Sequence, residues 1–233
     1  MPANPPSQLT LGVTLDDNAT FENFLIAESN QQAVACLSDP AQQQQLVAIW
    51  GSHDAGLTHL LQAACHQQAL EQRNALYLPM HDKANLHPEI LEGANTLSLV
   101  CLDNVELIAG DAAWEAALFT AFNAIKDSDT QLLLAMNTAP AALPIQLPDL
   151  RSRLQSCLVF QIGALNDHEK LQALQLRAKN RGMELNDAVA EYILQRADRS
   201  SRALMQILDQ LDATSLSQRR RLTIPLVKST LGW

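Results

Sequence analysis

Aromatic side chains are scarce in this 233-residue chain, where Phe, Trp and Tyr make up 4% of the residues. Any core must come from aliphatic packing. Cations are scarce too, with 16 Lys plus Arg against 25 Asp plus Glu and a formal net charge of -9. That balance excludes a protein that coats duplex DNA, because such binding neutralises several phosphates with clustered Lys and Arg. The cysteines Cys36, Cys65, Cys101 and Cys157 stand far apart, with no CxxC pair and no secretory apolar segment ahead of them. They read as reduced, buried thiols of a cytoplasmic protein. No apolar run approaches the roughly 18 residues needed to span a bilayer, so no membrane partner is expected. The histidines at 53, 59, 66, 81, 87 and 168 form no HExxH or other metal-binding spacing, and no serine or cysteine triad is indicated.

The deficit of cations is uneven along the chain. Residues 1 to 168 hold 18 acids and 5 Lys/Arg, whereas residues 169 to 233 hold 7 acids and 11 Lys/Arg. Two regions of opposite sign suggest two structural units. The length permits a core domain of about 150 residues with a smaller appendage. Residues 1–20, with three prolines and few large apolar groups, read as an extended arm. From 46 onward, LVAIW, ALYLP, LSLVCLD, QLLLAMN and CLVFQI are short continuous apolar runs separated by polar or helical stretches. Such runs suit a parallel sheet covered on both faces. The expectation is a doubly wound α/β core over 21–165 with five strands, followed by a helical region over 166–233. In that region Asn166 or Asp167, Asn186 or Asp187, Ser200 and Thr223 stand as helix caps, and Gly182 as a stop.

The strongest local motif is Gly51-Ser52-His53-Asp54-Ala55-Gly56-Leu57-Thr58. A phosphate loop has the form GxxxxGK[ST], in which backbone N–H groups and a helix N-terminus cradle phosphate, Lys reaches the outer phosphates and Ser or Thr holds magnesium. Here both glycines and the threonine are kept between a strand and a helix, and Leu57 stands where the lysine belongs. The plain alternative is a glycine turn without a ligand. Asp103 ends an apolar strand, as a magnesium-holding carboxylate does. Asn104 follows it, where hydrolytic members of this class carry a second acid. An amide cannot take a proton from water, so hydrolysis at this site is expected to be weak or absent. Asn137 ends QLLLAMN at the edge where α/β sheets place ligands; it is read either as a phosphate sensor or as an ordinary strand end. Arg151 and Arg153 lie together before the last strand. They are either solvated charges or, for Arg153, a guanidinium that reaches phosphate on a neighbouring protein. Arg202 opens the third helix of the C-terminal region, where an arginine can close over a nucleotide.

Taken together, a phosphate loop, an Asp-bearing strand, a polar-ended strand, an arginine before the final strand and a helical lid with a second arginine resemble the AAA+ ATPases. TFENFLIAESNQQAV, THLLQAA and SRL resemble the nucleotide domain of the bacterial replication initiator DnaA. QALQLRAKNRGMELNDAV, LDQLD and VCLDNVELIAGDAAWE are most similar to the Hda family, its regulatory-inactivation homologues without the DNA-binding domain. The resemblance covers nearly the whole chain. It implies an AAA+ five-stranded core with a helical lid, and a site for ADP or a related nucleotide formed by residues 51–58, Asp103, Asn137 and Arg202, with Mg²⁺ at Thr58 and Asp103. It also implies Arg153 as an arginine finger acting in trans. In the family, the lid arginine and the residues around Phe21 to Gln31 help close the pocket. QLTLG at 8–12 resembles the pentapeptide that docks in the DNA polymerase sliding clamp, with Gln8 making polar contacts, Leu9 and Leu11 as apolar anchors, and Gly12 where that peptide has a bulky residue or proline. The implied activity is inactivation of DnaA by stimulated hydrolysis of its ATP on the DNA-loaded clamp. The alternative is a nucleotide-dependent scaffold or loader for replication proteins. The initiator and the clamp are the implied partners, a homodimer stays open, and no specific DNA contact is implied.

Overall fold

The structure, a computed structural model, describes residues 15–39, 41–198, 200–218 and 222–233. Strands β1 (Leu46–Gly51), β2 (Ala75–Pro79), β3 (Leu99–Asp103), β4 (Gln131–Met136) and β5 (Leu158–Ile162) form one parallel sheet of order β2-β3-β4-β1-β5. Every residue of β3 and β4 is buried, which is why these strands read as unbroken apolar runs rather than alternating ones. The edge strand β5 alternates less and leaves Leu158 and Val159 exposed.

Helices cover both faces. Helices α1 (Gln31–Ser38) and α2 (Leu57–Leu70) pack on one side, burying Leu37, Leu60 and Leu61 against Val47, Ile49 and Leu133. On the other, α3 (Ala112–Lys126) and α4 (Pro148–Gln155) bury Leu118, Phe122, Leu150 and Leu154 against Ala48, Leu102 and Leu134. Neighbouring positions of one strand thus feed opposite cores. With so few aromatics, both cores are dominated by Leu, Ile, Val and Ala. All four cysteines are free and buried.

After β5 the chain turns through 163–166 into α5 (Asp167–Asn180), α6 (Asp187–Arg196), α7 (Ser201–Gln218) and α8 (Ile224–Leu231). Asn166 and Glu169 form a capping box at the start of α5, each side chain bonding the other's backbone N–H. Leu174, Ile193, Leu208, Leu211 and Val227 centre a separate aliphatic core in this region. No helix among the described residues is long and apolar enough to cross a membrane.

Candidate nucleotide site

Strand β1 delivers the chain to the loop, and the geometry dictates glycine at both ends of it. Gly51 pairs with Ile162, and a Cβ there would lie 2.4 Å from the Ile162 carbonyl oxygen. Gly56 has φ +84°, and its Cβ would lie 2.8 Å from the Phe24 ring. The second glycine therefore serves both the left-handed turn into α2 and the close approach of an aromatic ring from the N-terminal segment. Helix α2 begins at Leu57 with Gly56 at its cap, so its first N–H groups face the loop without a side-chain cap. A helix N-terminus of this kind attracts phosphate.

Thr58, in the first turn of α2, donates from Oγ1 to Asp103 Oδ2 at 2.6 Å. Asp103 is 2% exposed. Its Oδ2 also accepts from the Tyr77 hydroxyl at 2.8 Å, and its Oδ1 from the Asn104 N–H at 3.0 Å. The hydroxyl and carboxylate of Thr58 and Asp103 are oxygen donors suited to Mg²⁺, and Tyr77 shares the carboxylate with them. Burial, reinforced by the Asp103 charge, pushes the Tyr77 phenol well up, so it remains a donor. Asn104 takes φ +59°, a left-handed conformation that asparagine tolerates. Leu57 is buried in the α2-side core, so its side chain supplies no contact to a phosphate. Among the described residues, no cluster of three His, Cys, Asp or Glu side chains forms a metal site.

Asn137 follows β4 by one residue. Its N–H donates to Glu106 Oε2 at 3.2 Å and its side chain is exposed. Arg151 and Arg153 lie on α4, exposed and half-buried respectively. Among the described residues neither guanidinium has an ion pair or hydrogen bond. Arg202 is in the first turn of α7, and its side chain lies outside what the structure describes, as do Gln8, Leu9 and Leu11 entirely. The loop, Thr58 and Asp103 therefore come together; Asn137 is at the neighbouring strand end, and the two arginines of α4 belong to a different element.

Several residues at the site have no individual role assigned from the sequence. Asn30 is buried and braces the segment before α1, accepting from the Ala27 N–H at 2.9 Å and donating to Leu25 O at 3.1 Å. His59, directly after Thr58, bonds Thr20 O through Nε2 at 2.7 Å, while its Nδ1 takes an N–H from Arg177 at 2.9 Å. A carbonyl can only accept and a guanidinium can only donate, which fixes the proton on Nε2. Burial first, and then the Arg177 charge, pull the imidazole down to about 4, so the ring is neutral. Their signals in the sequence are the family-like segments that contain them and the helical spacing of His59 and His66; neither assigns a partner to any of them.

A parallel five-stranded sheet with a glycine loop after β1, a carboxylate at the end of β3 and a helical region after the last strand defines the AAA+ class of P-loop folds. Residues 15–161 match the family model of the bacterial DnaA ATPase domain, and residues 167–231 match that of the Hda lid domain. The chain belongs to the bacterial DnaA ATPase domain family, with a lid of the Hda type. Domain III of the Thermotoga maritima replication initiation protein DnaA shares the fold at a TM-score of 0.74 and 20% identity, over 94% of this chain and 98% of that one. AMPPCP-bound DnaA from Aquifex aeolicus does so at 0.71 and 22%, over 87% of this chain and 68% of that one. The Thermotoga maritima RuvB branch migration motor superposes at 0.65 and 16%, over 91% and 73%.

Proposed function

We propose that the protein inactivates the replication initiator DnaA by stimulating hydrolysis of initiator-bound ATP while held on the DNA-loaded sliding clamp. Membership of the DnaA ATPase family with an Hda-type lid supports a general role in regulating DnaA and its ATP. The observation that carries the finer reading is the division of labour between the two polar sites. At the chain's own loop the lysine is replaced by buried Leu57 and the second acid by Asn104, while the Arg153 guanidinium on α4 has no ion pair or hydrogen bond among the described residues.

In this reading the loop, with Thr58 and Asp103, holds ADP or a related nucleotide with Mg²⁺, and Asn137 and Arg202 line the same pocket. The magnesium would supply charge neutralisation to the phosphates. The backbone N–H groups of 52–58 orient them, and the Phe24 ring beside Gly56 keeps water from one side. Without the lysine cation the outer phosphate gains least, so a diphosphate is favoured over a triphosphate. Hydrolysis takes place in the partner: Arg153 enters the initiator's active site and stabilises charge on the transferring phosphoryl group, a role that contributes roughly 10³ to 10⁵ in rate where it has been measured. Gln8, Leu9 and Leu11 bring the protein to the clamp.

The test is the ATP turnover of purified initiator with DNA-loaded clamp and either wild-type protein or Arg153→Ala. The expected result is loss of stimulation with clamp binding unchanged. Stimulation that survives the substitution rejects the arginine-finger role. The protein alone is expected to hydrolyse ATP slowly or not at all, and rapid turnover by itself would instead mark a self-contained enzyme.

A further inference from the structure

Residues 15–24 form a strap gripped from two sides by side chains that the proposed reaction does not use. On α2, His59, Gln62 and His66 are spaced three and four apart and share one face. His59 Nε2 donates to Thr20 O at 2.7 Å, Gln62 Oε1 accepts from the Asp16 N–H at 2.9 Å, and His66 Nε2 bonds Asp16 O at 2.9 Å. On α5, Arg177 Nε donates to Asn23 O at 3.1 Å, and Asn180 Nδ2 donates to Glu22 O and Asn23 Oδ1 at 3.0 and 2.8 Å. The other arm of the Arg177 guanidinium donates to His59 Nδ1 at 2.9 Å. Nearly all of these bonds go to strap backbone, so they fix where the strap runs rather than read its side chains. At its end Phe24 sets its ring 5.3 Å from that of His59 and against Gly56 of the phosphate loop.

The position of the latch matters mechanically. The lid leaves the sheet at 163–166, and Arg177 lies ten residues into α5, about 15 Å along the helix axis. A contact at that distance from the hinge sets the lid angle far more firmly than one beside it. The fork of the guanidinium joins lid, strap and phosphate-loop helix at a single residue, which an ammonium could not do with the same geometry.

We propose that the strap is a coupling element in which Arg177 and His59 act as positioning residues, locking the lid to the phosphate-loop helix so that nucleotide binding and strap order form one linked equilibrium. The nucleotide half of this linkage rests on the function proposed above. Linkage is reciprocal: whatever strap order does to nucleotide affinity, the nucleotide does to strap order.

The experiment is calorimetry with ADP and amide hydrogen exchange on the full chain, comparing wild type, Arg177→Met, Arg177→Lys, Asn180→Ala and, as a control on the same helix, exposed Lys179→Ala. Thermal unfolding shows that each variant is folded. Arg177→Met is expected to weaken ADP at least fivefold and to speed exchange at Asn23 and Phe24, with Arg177→Lys intermediate and Lys179→Ala like wild type. In wild type, ADP is expected to slow exchange across 15–24. If Arg177→Met fails to fold, Asn180→Ala carries the expectation at twofold or more. Unchanged ADP affinity and strap exchange in a folded variant overturn the proposal. A wild type that binds no ADP at all contradicts the proposed nucleotide site instead, and the latch is then decided by strap exchange alone, which Arg177→Met is still expected to speed at Asn23 and Phe24.

Discussion

The phosphate loop and helix α4 use polar side chains in opposite ways. At the loop, Thr58, Tyr77 and the Asn104 N–H all donate to the Asp103 carboxylate, Phe24 closes against Gly56, and Leu57 is packed into the core. On α4, Arg151 and Arg153 are tied to nothing among the described residues. In the proposed function, a loop without its lysine, beside a carboxylate already satisfied by three donors, holds a nucleotide rather than turning it over. An arginine left uncommitted on a short helix is available to another molecule. The difference is strengthened by how α4 is held. Its N-terminus begins with Pro148 and lacks a local side-chain cap. The buried Glu115 of α3 takes that place from a distance, accepting from Leu147 N–H at 2.7 Å and from Gln146 N–H at 3.1 Å, and also from Gly110 N–H at 2.7 Å.

The largest expected effect tests that anchor. Glu115 is 1% exposed, and Glu115→Gln would turn an amide N–H₂ toward N–H donors that need an acceptor. Losing charge-assisted bonds at a buried site costs about 3 kcal/mol, equivalent to a fall in Tm of roughly 6–12 °C for a chain of this size. Stimulation of initiator hydrolysis should fall with it, while ADP affinity at the far loop stays near wild type. Thermal unfolding at the wild-type temperature would show that α4 is positioned by something else.

Acid is expected to loosen the other region. The His59 pKa is lowered to about 4 in the folded protein, whereas the unfolded chain protonates near 6.5. Below that value the unfolded state binds the extra proton, so stability is lost as pH falls from 6.5 toward 4. Between pH 7.5 and pH 5 the loss from this residue is about 2 kcal/mol. Urea midpoints of wild type and His59→Gln should converge over that interval, and parallel curves would mean that the imidazole is not held neutral by its surroundings.

The fold was largely legible because its strands bury both faces. The apolar runs 97–103 and 131–137 read as fully buried strands once helices follow each of them. The boundaries were less so: Leu97 and Ser98 look like part of β3, but parallel pairing with β4 begins only at Leu99 opposite Gln131, and Asn137 lies one residue past the end of β4. At the site, Gly51, Gly56, Thr58 and Asp103 stand out through motif spacing. Tyr77, Glu115 and Arg177 do not, because each acts on a partner distant in sequence, by 26, 32 and 118 residues for Asp103, Leu147 and His59. No periodicity records such a pairing. The positive charge of the lid was visible as composition, but that one of its arginines turns inward to His59 follows only from how α5 leans on α2.

The smallest expected effect bears most directly on the contrast between loop and helix. Leu57→Lys restores the cation at the position where a phosphate loop carries it. Leu57 is 9% exposed, so the change sacrifices apolar burial worth about 1–2 kcal/mol, and the four-carbon stem must bend toward the loop to keep its ammonium hydrated. Against that loss, a positive charge near the outer phosphates is expected to tighten ATP about tenfold, or about 1.4 kcal/mol, and to narrow or reverse the proposed preference for ADP. Turnover by the protein alone should remain slow, since Asn104 still offers no base. Adding Asn104→Glu supplies a carboxylate, but at φ +59° glutamate is strained by about 1–2 kcal/mol, so the double variant gains hydrolysis only if β3 relaxes around it. Calorimetry and steady-state hydrolysis on the single and double variants separate the two deficits. Fast turnover from Leu57→Lys alone, with none from wild type, would show that the missing cation, and not the missing acid, is the limiting deficit.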